Sequence, residues 1–553
     1  MNTYRVLPKR KISLTLADQE QGAIALDADV YYPDGDGSFP VLLMRQPYGR
    51  AIASTVVYAH PIWYASHGYI VVIQDVRGRG TSGGEFDLFR HEAEDGYATV
   101  LWAADLPQSN GQVGMYGFSY QGMTQLFAAA KRPAPLKTLA PAMVGYDLYH
   151  DWAYENGALL LQAGLGWAFQ LAAETARRQG DRLAYQALYN AGHNLPLTGA
   201  IPTRPQVMKD LAPDSFFHDW LEYPPTDAYW RSRTPDLTTV NLPMLHIGGW
   251  FDPYLRGDLR LYQQMVRQTT APQHLWIGPW GHIPWGRRLG ALDFGPAAES
   301  PIDRLQIRWF DQFLKRQDTG LLAESPVRLF VIGDNQWQGF ERWPEAPITT
   351  LFLSSTGLAG MRQDDGCLIV TSSPEASQDI IVHDPWRPVP AVGGHSGLPP
   401  GPVDRAAIDG RSDVLTYTTE PLSQPWTVIG TPVLRLYAQA DAPSFDLSAV
   451  LSQVAAAGRV ISLTQGYGRF EQADSLGDQP LRLPLHPTSF TLPPGDRLRL
   501  SLAASSFPAY AVNSGTGLPM GDVAQIDYRI VTLRVFHGGD WSSSLNLGMH
   551  HDS

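Results

Sequence analysis

Residues 111–122, Gly111-Gln112-Val113-Gly114-Met115-Tyr116-Gly117-Phe118-Ser119-Tyr120-Gln121-Gly122, constrain this chain more than any other stretch. They read as a short strand ending at Met115 or Tyr116, a sharp turn, and a helix that begins near Tyr120. Ser119 stands at the apex. A serine hydroxyl is a poor nucleophile until a base takes its proton and nearby donors hold the oxyanion that forms. A strand-to-helix elbow serves both needs, because it exposes Oγ and leaves backbone N–H groups free at the helix start. Gly117 suits such a turn, which has little room for a side chain two residues before the nucleophile. The usual elbow is G-x-S-x-G, whereas position 121 is Gln and the second glycine is Gly122. A bare G-x-S also occurs in ordinary turns, so the elbow stands or falls by its context.

The context is an alternation of buried strands and helices. Pro40-Val41-Leu42-Leu43-Met44 and Tyr69-Ile70-Val71-Val72-Ile73 are continuous apolar runs, the mark of strands buried on both faces. Helical stretches follow around Trp63 and over Glu92 to Ala104. This order implies βαβ units and a parallel sheet. The glycine-rich loop Arg77 to Gly84 lacks the lysine and spacing of a phosphate loop and reads as a tight surface loop. From Tyr146 to Arg233 the text is helical and aromatic with no obvious strand, so an inserted helical cap is expected. Strands resume at Pro243 to Gly249, His274 to Ile277 and Val327 to Ile332. From Thr349 onward short alternating strands, such as Val433-Leu434-Arg435-Leu436, sit between Pro- and Gly-rich turns, an all-β jelly-roll pattern. The chain of 553 residues is too long for one core. The expected layout is an α/β core at 1–145 and 235–348, a helical cap at 146–234 and a β jelly roll at 349–553. The absence of a linker predicts firm packing of the last domain.

An activated serine on a parallel sheet should be followed by an acid and then a histidine, each just past a strand end. The strand at 243–247 runs into Gly248-Gly249-Trp250-Phe251-Asp252-Pro253, and the strand at 274–277 into Gly278-Pro279-Trp280-Gly281-His282. Asp252 would orient the imidazole, and His282 would serve as general base and then general acid. An Asp before Pro is commonly a cap or turn residue, and a lone His is commonly a loop residue. The chain order of the three is what singles these out among 15 histidines. His246 lies inside a strand and is the poorer base; His60 is a candidate to line a pocket. The oxyanion needs two donors. The N–H of Tyr120 is one, and the hydroxyl of Tyr48, in the loop Gln46-Pro47-Tyr48-Gly49 after an early strand, is the other candidate.

Taken together these residues resemble the cocaine esterase and X-prolyl dipeptidyl aminopeptidase family of serine hydrolases. The family elbow is G-x-S-Y-x-G, which Gly117 to Gly122 matches, so Gln121 ceases to be an exception. The resemblance extends through Arg45-Gln46-Pro47-Tyr48, Gln74-Asp75-Val76-Arg77-Gly78, Gly249-Trp250-Phe251-Asp252, Gly278-Pro279-Trp280-Gly281-His282 and Trp309-Phe310-Asp311. It reaches Ser505-Ser506-Phe507-Pro508-Ala509-Tyr510 near the C-terminus. It implies a triad of Ser119, Asp252 and His282, an oxyanion hole of Tyr48 and the Tyr120 N–H, and an α/β-hydrolase core with helical cap and C-terminal jelly roll. By position in similar segments, Trp152, Trp167 and Tyr254 are candidates to line the acyl pocket. The family's amino-ester hydrolases carry extra acids after the triad Asp; Pro253, Tyr254 and Leu255 stand here instead. A peptidase would need a carboxylate in the cap for the substrate amine, and Asp147, Asp151 and Glu155 are available.

The expected activity is a serine hydrolase that cleaves a carboxylic ester, or an amide, through an acyl-enzyme. The alternatives are an X-prolyl dipeptidyl aminopeptidase or small-amide acylase and, from another class, a glycan-binding protein on an inactive hydrolase scaffold. The partner expected is a small-molecule ester or amide; a homo-oligomer is left open. A net charge of −12 argues against nucleic acid. The single cysteine, Cys367, excludes internal disulfides and thiolate metal clusters. No cofactor or metal is expected. No signal peptide is evident in Met1 to Asp27, and no apolar run approaches the roughly 20 residues of a membrane span, so a cytoplasmic location is the default expectation.

Overall fold

The computed structural model describes residues 4–18, 22–51, 55–471 and 479–550. Ten strands form the central sheet: β1 (Arg10–Asp18), β2 (Gly22–Tyr31), β3 (Phe39–Gln46), β4 (Ile70–Asp75), β5 (Ser109–Phe118), β6 (Leu136–Ala142), β7 (Met244–Phe251), β8 (Gln273–Gly281), β9 (Val327–Val331) and β10 (Gln336–Phe340). Their spatial order is β10-β9-β8-β7-β6-β5-β3-β4-β2-β1. Pairs from β4 through β3 to β9 are parallel, and the two edges are antiparallel. The continuous apolar runs now have their reason. Val41 and Leu43 of β3 face a layer with Val100, Ala103, Met123 and Leu126 from the helices Glu92–Ala104 and Tyr120–Ala130. Leu42 and Met44 face the opposite layer, with Tyr64, Trp309 and Phe310. Each such side chain contributes about 1.5–3 kcal/mol by leaving water. The chain order reverses at β3, which lies between β5 and β4. In open sheets a crevice opens there, at the carboxyl ends of the strands. Tyr48 follows β3 and Ser119 follows β5, so both candidates flank it.

A buried ion pair ties the two strand ends to the elbow helix. Arg45, at the end of β3, is fully buried, with Nη1 2.6 Å from Glu92 Oε2 and Nε donating to Gln74 Oε1 at 2.9 Å. The other Glu92 oxygen accepts from the Tyr120 hydroxyl at 2.7 Å. Removing one partner of such a pair strands a buried charge and costs about 3–5 kcal/mol. Glu92→Ala should therefore loosen the helix Tyr120–Ala130 selectively, seen as lost amide-exchange protection there ahead of the distant strands Val433–Ala440 and Ser544–His550.

The stretch read as a strand-free cap contains helices at Leu161–Gln179, Arg182–His193, Gln206–Leu211, Phe216–Glu222 and Ala228–Ser232. It also contains a hairpin, Tyr154–Glu155 against Ala158–Leu159, which departs from that reading. Its tip is Asn156-Gly157, both with positive φ (43° and 81°), the residues a tight two-residue turn requires. The hairpin docks on the C-terminal domain. Asn156 Nδ2 donates to Tyr467 O at 2.8 Å, and Arg469 N donates to Asn156 O at 3.0 Å.

From Ile348 to His550 the described residues build a second, β-rich domain of 13 strands. It is sutured to the core without a tether. Ile332 N donates to Ser489 O and Thr491 N to Ile332 O. The loop 393–402 lies against the end of β8: a Cβ on Gly281 would sit 2.9 Å from Pro400, and Ala291 N donates to Pro402 O.

Candidate active site

The strand β5 runs to Phe118, two residues beyond the expected end, and Ser119 then turns the chain with φ +59° and ψ −127°. That backbone state is strained for a residue with a Cβ, and such strain gathers at functional sites. The turn explains the motif residue by residue. Gly117 has φ +140°, and a Cβ there would lie 2.5 Å from the Cβ of Gln121. A Cβ on Gly122 would lie 2.2 Å from Val144, so that glycine lets the helix meet the chain after β6. Gln121 is a brace: its Oε1 accepts from Phe118 N at 3.3 Å. The Tyr120 N–H begins the helix, where no intrahelical acceptor exists.

Asp252 and His282 follow the adjacent strands β7 and β8. Asp252 is fully buried, and His282 Nδ1 lies 2.8 Å from Asp252 Oδ1, with the His282 side chain 28% exposed. An Nδ1–H donated to the carboxylate leaves Nε2 with its lone pair. The imidazole is flanked by Phe118 (ring centroids 5.4 Å) and Tyr254 (5.0 Å), the first being the neighbour of Ser119. Tyr48 reaches the same place from β3. Its hydroxyl accepts from Trp167 Nε1 at 3.1 Å, and the Ser119 side chain bears on it by favouring its ionised form. Tyr48 keeps part of its surface exposed, yet its hydroxyl is enclosed, and burial pushes its pKa up to about 12.

An aromatic wall continues from the imidazole. Tyr254 packs on Trp152 (4.5 Å), Trp152 on Trp167 (5.2 Å), and Trp167 on Phe216 (4.9 Å). Trp152, Trp167 and Tyr254 are thus brought together in one packed aromatic cluster. His60 is not. It is exposed and caps the helix Pro61–Ser66, its Nδ1 accepting from Ile62 N at 3.2 Å, while its ring rests edge-on against Tyr31. In the structure His60 serves as a helix cap. A residue two before Ile62 was in position to cap, and the sequence Pro61 at the first helical turn signals that start. His246 is buried in β7 on Gln273, and burial lowers its pKa to about 4.

Two residues escaped the sequence reading. Phe216 has no motif. Asp258 lies six residues after Asp252, in the helix Leu255–Gln268, fully buried, with Oδ1 accepting from Val144 N at 2.8 Å. Burial, and then the charge of Asp252, push its carboxyl well above the usual range. A raised folded-state pKa favours folding at low pH and loses that advantage as pH rises from the unfolded value of 3.8 towards the folded one. Asp258→Asn is neutral at every pH, so its melting temperature should gain on wild type as pH rises from 4 to 8. A constant offset across that range would mean that Asp258 is ionised in the fold.

Comparison with known proteins follows the same line. Residues 21–284 match the X-Pro dipeptidyl-peptidase (S15 family) model, and residues 319–546 match the X-Pro dipeptidyl-peptidase C-terminal non-catalytic domain. The cocaine esterase of Rhodococcus sp. is 32% identical over 525 residues, covering 89% of this chain and 91% of that protein. The chain belongs to this family of serine hydrolases. Solved structures of similar fold include an aminopeptidase from a marine sediment Thaumarchaeota archaeon (TM-score 0.80, 23% identity, 98% of this chain and 96% of that one). An α-amino acid ester hydrolase shares the fold as well (TM-score 0.76, 24% identity, 98% and 97%). The fold of this serine hydrolase is thus an α/β-hydrolase core with a cap and a C-terminal β-rich domain. Among the described residues, no helix is long and apolar enough to cross a membrane.

Proposed function

We propose that this serine hydrolase cleaves a carboxylic ester of a compact, partly apolar acid through an acyl-enzyme on Ser119. His282 would take the Ser119 proton as the hydroxyl attacks the carbonyl, and Asp252 would hold the imidazole and stabilise its cation. The oxyanion would sit between the Tyr48 hydroxyl and the Tyr120 N–H. His282 would then protonate the leaving alcohol, and a water activated by the same imidazole would release the acid. The observation that carries this reading is the 2.8 Å bond between His282 and buried Asp252 on neighbouring strand ends, beside a serine at a strained strand-to-helix turn.

The ester reading is favoured over a dipeptidyl-peptidase by the state of the cap carboxylates. Asp151 is fully buried, 3.0 Å from Arg260. Glu155 is fully buried against His395 and Tyr510. Asp147 is 3.1 Å from His150. None is spare to hold a substrate ammonium, and an amine left unpaired in an aromatic pocket would bear its full desolvation cost. The test is a panel of p-nitrophenyl acetate, butyrate and benzoate beside an Xaa-Pro p-nitroanilide. Turnover of the esters with little or none of the anilide is expected. A preference for the anilide that vanishes on acetylating its amine would establish the peptidase reading instead. A cytoplasmic site of action and a small-molecule partner complete the proposal.

A further inference from the structure

The glycine-rich loop Arg77 to Gly84, expected as a tight surface loop, instead buries both of its arginines. It follows β4 and packs against the cap. Arg178, on the cap helix Leu161–Gln179, donates to Gly80 O and, at 2.8 Å, to Ser82 O. Gly80 has no room for a side chain because Asp75 fills the space. The two buried arginines differ in their partners. Arg77 is paired with Asp95 and Asp18. Arg79, only 3% exposed, has no carboxylate partner among the described residues. Its Nη1 donates to Leu171 O at 2.8 Å and to Thr175 Oγ1 at 3.1 Å, both on the same cap helix. Its guanidinium carbon lies 3.7 Å from the centre of the Phe86 ring, and its Nε has no partner.

We propose, on the reading that Tyr48 is an oxyanion donor, that Arg79 is its positioning residue: by holding the cap helix at Leu171 and Thr175 it sets the place of Trp167, whose indole bonds the Tyr48 hydroxyl.

The helix geometry supplies the lever. Trp167, Leu171 and Thr175 stand at i, i+4 and i+8 and share one face of the helix. Arg79 grips that face one and two turns beyond the indole, and Trp167 Nε1 donates to Tyr48 at 3.1 Å. The grip is firm, because a bond from a charged donor is stronger than one between neutral groups and an aromatic face favours a cation above it. Phe86 in turn lies 6.2 Å from the Tyr120 ring, centre to centre, so the same anchor abuts the residue that would supply the second oxyanion donor. Burial lowers the Arg79 pKa only to about 10, so the group is charged at neutral pH. Burial raises the Tyr48 pKa, and the Arg79 charge opposes that rise, which puts the phenol within its electrostatic reach. A buried guanidinium without a counter-ion is costly, and perturbed buried charges gather at functional sites. A plain clamp between loop and cap needs no such group, since Arg178 already makes one from a partly exposed position.

The test is a double-variant cycle on ester hydrolysis by the full chain. Arg79→Met should lower kcat about tenfold with KM little changed, because misplacing a donor costs less than deleting it. In the Tyr48→Phe background the same substitution should cost no more than about twofold, since no donor remains to be positioned. Arg178→Met, the control for a looser contact between loop and cap, should lower the melting temperature and spare kcat. Should Arg79→Met not fold, Arg79→Lys keeps a cation and a donor without the flat fork, and its kcat loss should likewise disappear in the Tyr48→Phe background. An unchanged kcat in folded Arg79→Met, an equal loss with and without the Tyr48 hydroxyl, or an equal loss from Arg178→Met would overturn the role and leave Arg79 a structural clamp. A Tyr48→Phe cost below tenfold would instead remove the reading of Tyr48 itself, and the role of Arg79 with it.

Discussion

Ser119→Ala should lower kcat for its best ester by at least about 10⁴-fold and abolish labelling by a fluorophosphonate probe. The size of the effect follows from what the hydroxyl is asked to do. Without it no acyl-enzyme can form, and only water positioned by His282 and the oxyanion donors remains. That residue of catalysis is worth about 10³–10⁴ over uncatalysed water in comparable sites. His282→Ala should fall to a similar level, because a serine without its base is nearly as inert as no serine. The double variant should be no slower than either single one, since the two groups act as a unit. The fold should survive Ser119→Ala: the turn is held by Ser119 N donating to Ala142 O at 2.8 Å, which does not involve the hydroxyl, and relief at φ +59° is not expected from a residue that keeps its Cβ. Labelling of the folded Ser119→Ala protein at another serine would move the nucleophile elsewhere. Failure of wild type to label would mean that the elbow is present but not activated.

How far the sequence carried depended on how local the signal was. The elbow, the acid and the histidine each follow a strand buried on both faces, and such strands announce themselves as unbroken apolar runs such as Val41 to Met44. The order of the strands in space is not written that way, but the placing of catalytic groups at strand ends needs only the strands' existence. The resemblance accounted for Gln121 without giving its physical reason, which is three-dimensional: its side chain braces Phe118, and Gly122 makes the close approach to Val144. The hairpin at Asn156-Gly157 had a local signal, the Asn-Gly pair, that the surrounding helical text drowned. The capping role of His60 was not legible, because a histidine looks the same in sequence whether it lines a pocket or caps a helix. Asp258 and the contact of Arg79 with the cap had no signal available. Asp258 acquires its character from burial and the charge of Asp252, and the Arg79 contact is assembled across the 92 residues between Arg79 and Leu171.

Tyr48→Phe should lower kcat by about 10²–10³ with KM little changed, the signature of a donor whose bond strengthens only in the transition state. The geometry makes the phenol a donor and not a bystander. Trp167 Nε1 gives its proton to the Tyr48 oxygen, so the phenol's own proton is left for another acceptor. Once Ser119 has attacked, the new oxyanion would be a strong acceptor for that proton. The pKa of about 12 keeps the hydroxyl protonated at neutral pH, so this donor should add no limb to the pH–rate profile below about pH 10. A phenol whose pKa were lowered by the site would instead impose a fall in rate on the alkaline side. Trp167→Phe separates the two roles of the indole. It removes the bond to Tyr48 while keeping an aromatic wall beside Trp152, so a modest loss in kcat with an unchanged acyl-chain preference is expected. If Tyr48→Phe costs less than tenfold, the second oxyanion donor is not Tyr48. If Tyr48→Phe raises KM in proportion and spares kcat, the phenol binds substrate and transition state alike, and the catalytic share of the oxyanion hole rests on the Tyr120 N–H.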